Sequence, residues 1–403
     1  MPFSWMTRRL VVAFLACFCV AQGATTPALA QAQRDLVIAY VSRADDPAYA
    51  EVKARDGVFR LLRRSPVPGA ELGVRDALAG ARAAGLALRL ERTTLAAEED
   101  IGAALARLSS AGVAAAILDV PLQDFRSAVG KAPGLLLVDV RETDDALRID
   151  TCADPVVHIQ PSRLQRTDAL AQFLVRRNWK KLLVLHGPEG EDRMQADSMQ
   201  ASAKKFGARV VATKAFAVSN DPRRREETSV ALLTGGADFD AVFIADSVGD
   251  AGRVMPFRIA LPRPVIGTHG LDAVAWSPYH ERNGAPQLNR RFEREAGRPM
   301  ADADWAAWVA VRAVTEAEIR EARQPTNAPL HRRILDQELR LEMYKGVPGS
   351  FRPWDRQLRQ GVLLATHNAV VELAPLDGFL HETNTLDTLG LLPGQTPCGT
   401  AAR

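Results

Sequence analysis

From Leu36 onward the chain alternates short apolar runs with longer amphipathic segments, and this rhythm restricts its fold more than any other feature. "LVIAYVS" (36–42) is an unbroken apolar run of strand length, and "GAELGVRDALAGARAAG" (69–85) sets Leu72, Ala79 and further alanines on one helical side, with Gly85 as a stop. "LALRLERT" (86–93) alternates with period two. "EEDIGAALARLSSAG" (98–112) brings Ile101, Leu105 and Leu108 to helical spacing before Gly112, and "VAAAILDV" (113–120), a short helix starting near Gln123 and "LLLVDV" (135–140) follow. Strands that are apolar on both sides and separated by helices predict a parallel, doubly wound sheet.

The rhythm then restarts. "PVVHIQPS" (155–162) leads into a helix carrying Leu170, Phe173 and Leu174. It is followed by "KKLLVLHG" (180–187), a helix over 194–207, "ARVVATKAF" (208–216), a helix across Ser229–Leu233, "DAVFIAD" (240–246), a helix near Gly252–Ile259 and "PVIGTHG" (264–270). The fold class expected is therefore α/β, with two doubly wound parallel-sheet lobes in tandem. Residues 285–343 carry helix without strands, including a long helix with Trp305, Trp308, Val309 and Val311, so they complete one of the two lobes. Strands at 361–366 and 369–373 precede a Pro/Gly-rich end.

Ahead of the first strand, Arg8 and Arg9 form a positive region, Leu10–Val20 an apolar run of eleven residues, and Ala28-Leu29-Ala30 an A-x-A site. These features predict a secretory signal peptide (1–30) cut after Ala30. The apolar run falls well short of the ~20 residues that span a bilayer, and Phe14-Leu15-Ala16 ahead of Cys17 fits a lipidation signal poorly. Removing residues 1–30 takes two arginines and no acid from 51 basic and 48 acidic side chains, leaving 49 against 48. A chain so close to neutral, with Arg63-Arg64, Arg176-Arg177, Arg290-Arg291 and Arg223–Arg225 interleaved with acids, offers nucleic acid no net basic surface. Export also removes Cys17 and Cys19, which leaves Cys152 and Cys398 in an oxidising compartment. One disulfide between them is expected, closing a loop for which the chain-entropy model allows roughly 5 kcal/mol before strain.

No Walker A loop, G-x-G-x-x-G, H-E-x-x-H, G-x-S-x-G or C-x-x-C occurs, and no two of the seven histidines sit at metal-ligand spacing. No enzyme, cofactor or metal is therefore expected, although a hydrolase triad assembled in space would leave no such trace.

"GAELGVRDALAGARAAG", "LERTTLAAEEDIGAALARLSSAGVAAAI", "HIQPSRLQRTDALAQFLVRRNWKKLLVLHGPEG" and "FEREAGRPMADADWAAWVAVRAVTEA", in that order, resemble the periplasmic substrate-binding proteins of ABC transporters, type I, that include the Leu/Ile/Val binders. "GSFRPWDRQLRQGVLLATHNAVVELAPLDGFLHETNTLDTLG" is similar to the subfamily associated with PQQ-dependent alcohol dehydrogenase systems. The resemblance implies a first lobe of 34–153 plus 273–340, a second of 157–270 plus 346–375, and a C-terminal tail of 376–403. Three crossings near 153–157, 270–273 and 340–346 would form the hinge, and the helix at 304–323 would return to the first lobe. It further implies a periplasmic, monomeric binder that captures a small ligand in the interlobe cleft, closes over it by a hinge motion and docks on an inner-membrane ABC permease. The alternative is a sensor or accessory partner of the alcohol-oxidation system that does not transport.

Amino-acid binders of this family hold the ligand carboxylate with Ser or Thr after the third strand and the ammonium with an acid in lobe two. Here "DVPLQDF" puts Pro121, Leu122 and Gln123 at the first place, and "GTHG" puts His269 at the second. The other strand-end candidates for ligand contact are Asp45 and Tyr49, Asp139 and Arg141, His186, and Asp246 with Ser247; each is also an ordinary turn or capping residue type. Trp276 and Tyr279 read as hinge packing before ring stacking, and Trp354 in "FRPWD" as a partner for an arginine.

Overall fold

The computed structural model describes residues 33–49, 63–219, 221–249 and 251–400; the expected signal peptide with its cleavage site, and Cys17 and Cys19, lie outside them. The first βα series is β1 (Arg34–Arg43), α1 (Val67–Ala83), β2 (Leu86–Leu95), α2 (Ile101–Ser110), β3 (Ala115–Asp119), α3 (Leu122–Ala128), β4 (Leu136–Asp139), α4 (Asp145–Asp150) and β5 (Val156–His158). Its five strands lie in the order β2-β1-β3-β4-β5, all parallel. The unbroken apolar run of β1 has a direct cause. Leu36, Ile38 and Tyr40 point into one core and Ala39 and Val41 into the other, as the period of two requires of a strand covered on both faces. β2 alternates because it is the edge, with Leu86 and Leu88 inside and Arg89 and Glu91 less buried or exposed.

The second series is α5 (Arg163–Arg176), β6 (Lys181–His186), α6 (Gly190–Phe206), β7 (Arg209–Ala215), α7 (Arg225–Thr228), α8 (Val230–Thr234), β8 (Ala241–Ala245) and β9 (Val265–Gly267). It forms a parallel sheet in the order β7-β6-β8-β9. β6 shares its side chains between two cores, Leu182 and Val184 on one face and Leu183 and Leu185 on the other. A 3-10 turn over Gly252–Phe257 occupies the place where a helix was expected. β10 (Asp272–Val274), β13 (Val362–Ala365) and β14 (Val370–Ala374) make an antiparallel sheet whose residues join the α5, α6 and β6 core.

Helices α9 (Ala285–Ala296), α10 (Asp302–Arg323) and α11 (Leu330–Arg333) intervene, and α10 returns to the first sheet: Trp305, Val309, Val311 and Val314 share a core with Leu36, Ile38 and Leu72. α1 and α10 approach backbone to backbone, since a Cβ on Gly69 would lie 2.0 Å from the Asp304 carbonyl oxygen and one on Gly73 2.9 Å from that of Trp308. A ladder of β11 (Ser350–Phe351) with β12 (Leu358–Arg359) and a final turn, α12 (Pro397–Thr400), complete the order.

Two sequence expectations are corrected here. Val156–His158 does not open the second series; it is the fifth strand of the first sheet, paired with β4, and His158 Nδ1 donates to Asp139 at 2.8 Å. The third crossing also comes later than 340–346. Leu341, Met343, Phe351 and Leu358 still belong to the first core, and the second core resumes at Val362. The chain passes from one core to the other near 159–162, 274–276 and 359–362, each later than the 153–157, 270–273 and 340–346 expected. The expected disulfide is present between Cys152 and Cys398.

Candidate functional site

The loops at the carboxyl ends of both parallel sheets converge on Arg163, the first residue of α5. Its guanidinium pairs with Glu191 of α6 at 2.9 Å and stands 3.6 and 3.8 Å from Asp144 and Asp145 beyond β4, while its backbone N–H donates to Thr143 O at 2.8 Å. α5 starts there because Ser162 and Gln165 form a reciprocal capping box. Arg163 thus joins the loop beyond β4 of the first lobe to the start of α6 in the second.

The first-lobe wall is a closed polar network. Asp119, ending β3, accepts from Tyr40 Oη at 2.8 Å and Tyr49 Oη at 2.7 Å. Arg141 pairs with Asp46, lies 3.9 Å from Asp119 and sits over the Tyr49 ring. Burial raises the Asp119 carboxyl above the usual range against the pull of both tyrosines, and burial with the neighbouring Asp119 charge raises both phenols. Burial and the Asp139 charge push the Glu142 carboxyl up to about 7, against Arg141 and Arg148.

Each sequence candidate has a definite place. Asp139 is fully buried, accepting from His158 and from the backbone N–H of Arg141 and Glu142, so it organises the turn that carries Arg141. Asp45 is exposed, and its neighbour Asp46 is the buried acid that meets Arg141. Gln123 is exposed on α3, in a shallow depression with Leu122, Arg126 and Ser127. α3 has no side-chain cap behind Pro121, and Asp124 in its first turn pairs with Arg43 at 2.7 Å.

On the second lobe, His186 ends β6 and is 8% exposed; its Nδ1–H donates to Gly187 O at 2.8 Å, so in the neutral ring Nε2 is the acceptor. Asp246, ending β8, accepts from the backbone N–H of Gly249, Ala251 and Gly252. Ser247 is exposed and gives its N–H to Asp192 at 2.6 Å. His269 is wedged against Gly252, where a Cβ would lie 2.0 Å from its ring, and its Nε2 stands 3.8 Å from Asp246 without a hydrogen bond. Burial lowers its pKa despite Asp246, so the ring is neutral near pH 7.

The structure therefore gathers Tyr49, Asp139 and Arg141 on one wall and His186, Asp246, Ser247 and His269 on the other, and leaves Asp45 and Gln123 on exposed surface. Asp46, Asp119, Glu142, Arg163, Glu191 and Asp192 were not singled out from the sequence. Asp119 had a visible signal, an acid closing an apolar strand, as did Arg163 next to a capping serine. Trp276 stacks on Trp305 at 5.9 Å between centroids, Tyr279 is exposed, and the Arg352 and Arg359 guanidinium groups lie 5.5 and 5.2 Å from the centroid of the Trp354 ring.

The hinge beneath the cleft is also polar and buried. Arg166 donates to Ala273 O, Gln160 Oε1 and Asp302 Oδ2 at 2.8–2.9 Å, joining the first two crossings to the start of α10. Lys345 is fully buried, donates to Gln360 Oε1 and Gly361 O in the third crossing, and lies 3.7 Å over the Trp305 ring; burial holds its pKa well below that of an ordinary lysine. Among the described residues no cluster of three or more His, Cys, Asp or Glu could hold a metal ion, and no helix is long and apolar enough to cross a membrane.

No protein-family profile and no curated protein matches the chain. Solved structures do. An ABC transporter substrate-binding protein from Desulfitobacterium hafniense is 18% identical, with a TM-score of 0.63 over 84% of this chain and 100% of its own. A Leu-, Ile-, Val-, Thr- and Ala-binding protein from Brucella ovis, in a closed conformation, is 14% identical, with a TM-score of 0.64 over 91% of this chain and 98% of its own. A solute-binding protein of an ABC transporter from R. palustris, in complex with benzoate, is 14% identical, with a TM-score of 0.60 over 84% of this chain and 96% of its own. These neighbours are binding proteins, and what they share with this chain is the two-lobed type I fold.

Proposed function

We propose that the protein is an extracytoplasmic solute-binding component of an ABC importer, capturing a small ligand between its lobes and presenting it to an inner-membrane permease from the periplasm. The observation that carries this reading is the convergence of both sets of strand carboxyl ends on Arg163, above three buried crossings. That is the geometry of a hinged clamp, and it is the fold in which the neighbours hold leucine, isoleucine or benzoate. The link to PQQ-dependent alcohol oxidation rests on the resemblance of the tail around "FRPWD". The protein acts as a monomer in this reading, without cofactor.

The ligand is neutral or anionic and is not a free α-amino acid. An ammonium entering the second lobe meets neutral His269, and the carboxylates nearby are already engaged: Asp246 by three backbone N–H groups, Asp192 by Ser247 and Glu189, and Glu191 by Arg163. A buried, unpaired charge typically costs several kcal/mol. Beyond β3, Pro121-Leu122-Gln123 supply no small hydroxyl and Gln123 is exposed, and each charge-assisted hydrogen bond forgone is worth roughly 1.5–3 kcal/mol. His186 and His269, which bring no negative charge, suit an alcohol-derived acid or a quinone-like ring. Calorimetry against the twenty amino acids and a panel of short acids, alcohols and quinones tests this. Saturation by an acid, alcohol or quinone is expected; binding of any amino acid tighter than about 10 µM overturns the ligand assignment, and no saturable ligand at all overturns the solute-binding reading.

A further inference from the structure

We propose that the C-terminal tail is a strap that ties the two lobes together and limits how far the cleft can open, with the Cys152–Cys398 disulfide as its covalent anchor. Its first attachment is to the second lobe. Leu389 is buried in the core formed by α5, α6 and β6, Gly390 N–H donates to Asp168 of α5 at 2.8 Å, Lys205 of α6 donates to Gly390 O at 3.1 Å, and Gln172 donates to Thr388 Oγ1 at 3.2 Å.

The flanking residues hold the other side. Asp387 accepts from Arg352 and Arg359, each at 2.8 Å, and Leu391 O accepts from Trp354 Nε1 at 3.1 Å. Those partners lie on or beside the β11–β12 ladder, whose Phe351 and Leu358 belong to the first-lobe core. Further on, Thr396 donates to Trp354 O at 2.7 Å, and Cys398 closes on Cys152, a buried residue between α4 and β5 of the first lobe.

The chain thus passes from the second-lobe core at Leu389 to a covalent bond in the first lobe at Cys398, outside the three crossings. Rigid-body separation of the lobes has to draw Leu389 out of its core or strip the contacts of Asp387 and Leu391, and the disulfide prevents the free end from paying out slack. Noncovalent contacts alone would let the tail peel away with the opening lobe.

This inference concerns the regulation of the cleft under the solute-binding reading, but its test needs no ligand. Dyes are placed at positions 98 and 225, both exposed and one on each lobe, through bio-orthogonal side chains that leave the cysteines untouched, and the distance distribution is read by single-molecule energy transfer on ligand-free mature protein. A narrow distribution is expected for the wild type. Cys398→Ser should broaden it and shift its mean outward by several ångströms. Lys205→Met with Thr388→Val, which keeps the disulfide and loosens the second-lobe attachment, should move it the same way. Circular dichroism identifies the variants that fold. A shift in either folded variant supports the strap, and an unchanged distribution in both overturns it. Absence of any solute in the calorimetric screen would sink the functional reading and leave this result untouched.

Discussion

Glu142, in the turn beyond β4, carries a charge that responds to pH near neutrality. Its carboxyl is pushed up to about 7, by burial first and then by Asp139, from about 4.5 in an unfolded chain. The native state therefore binds more protons than the unfolded one between those values, so this residue makes stability fall as pH rises from about 4.5 to 7, with the loss complete above 7. The size is about 3 kcal/mol. Glu142→Gln should match the wild type in urea unfolding at pH 4.5 and exceed it by an amount of that order at pH 8; equal stability at both values would exclude the shift. At this scale the sequence reveals position but not engagement. Placing acids and histidines at strand ends found Asp139, Asp246 and His269, yet whether a carboxylate is free depends on the N–H groups that a loop folds around it. For Asp246 those come from residues three to six further on, and for Asp139 partly from His158, nineteen residues away.

Among the elements, the pairing of α1 with α10 carries the clearest mutational expectation. Gly69 and Gly73, one helical turn apart, let α10 lie against α1, and the atoms a new Cβ would strike are backbone atoms of Asp304 and Trp308 that cannot rotate aside. Gly69→Ala would ordinarily gain helix propensity, but the helices must separate to accept it. Overpacking of this kind costs about 1–3 kcal/mol or more. A lowered urea midpoint with an unchanged slope is the expected result, and a raised midpoint would mean that the two helices do not touch here. The main helices and the central strands were legible because both faces of β1, β3 and β6 are buried and their runs are continuously apolar. β5, β10, β11 and β12 were misplaced or missed. Each is two or three residues long, too short to show a period; β5 and β10 are defined by pairing with a distant segment, as in Val156 with Leu137 and Ala273 with Leu364, and β11 and β12 by a short hairpin.

For the molecule as a whole, the question is whether two lobes with separate cores unfold together. The cores share no strand, and a tandem pair of such lobes joined by three short crossings could melt in two steps. Opposing this are the buried hinge contacts of Arg166 and Lys345 and the disulfide, which closes a loop of 246 residues running through the entire second lobe. Unfolding one lobe alone would leave the other carrying a constrained loop, and the bond withholds chain entropy of roughly 5 kcal/mol from the fully unfolded state. Scanning calorimetry of the oxidised protein should therefore give one transition whose van't Hoff and calorimetric enthalpies agree. Cys398→Ser should lower the midpoint by several degrees and make the van't Hoff enthalpy fall below the calorimetric one, as the lobes begin to melt independently. A midpoint that falls while the two enthalpies still agree would mean that the disulfide adds stability without coupling the lobes, and that Arg166 and Lys345 suffice to hold them as one cooperative unit.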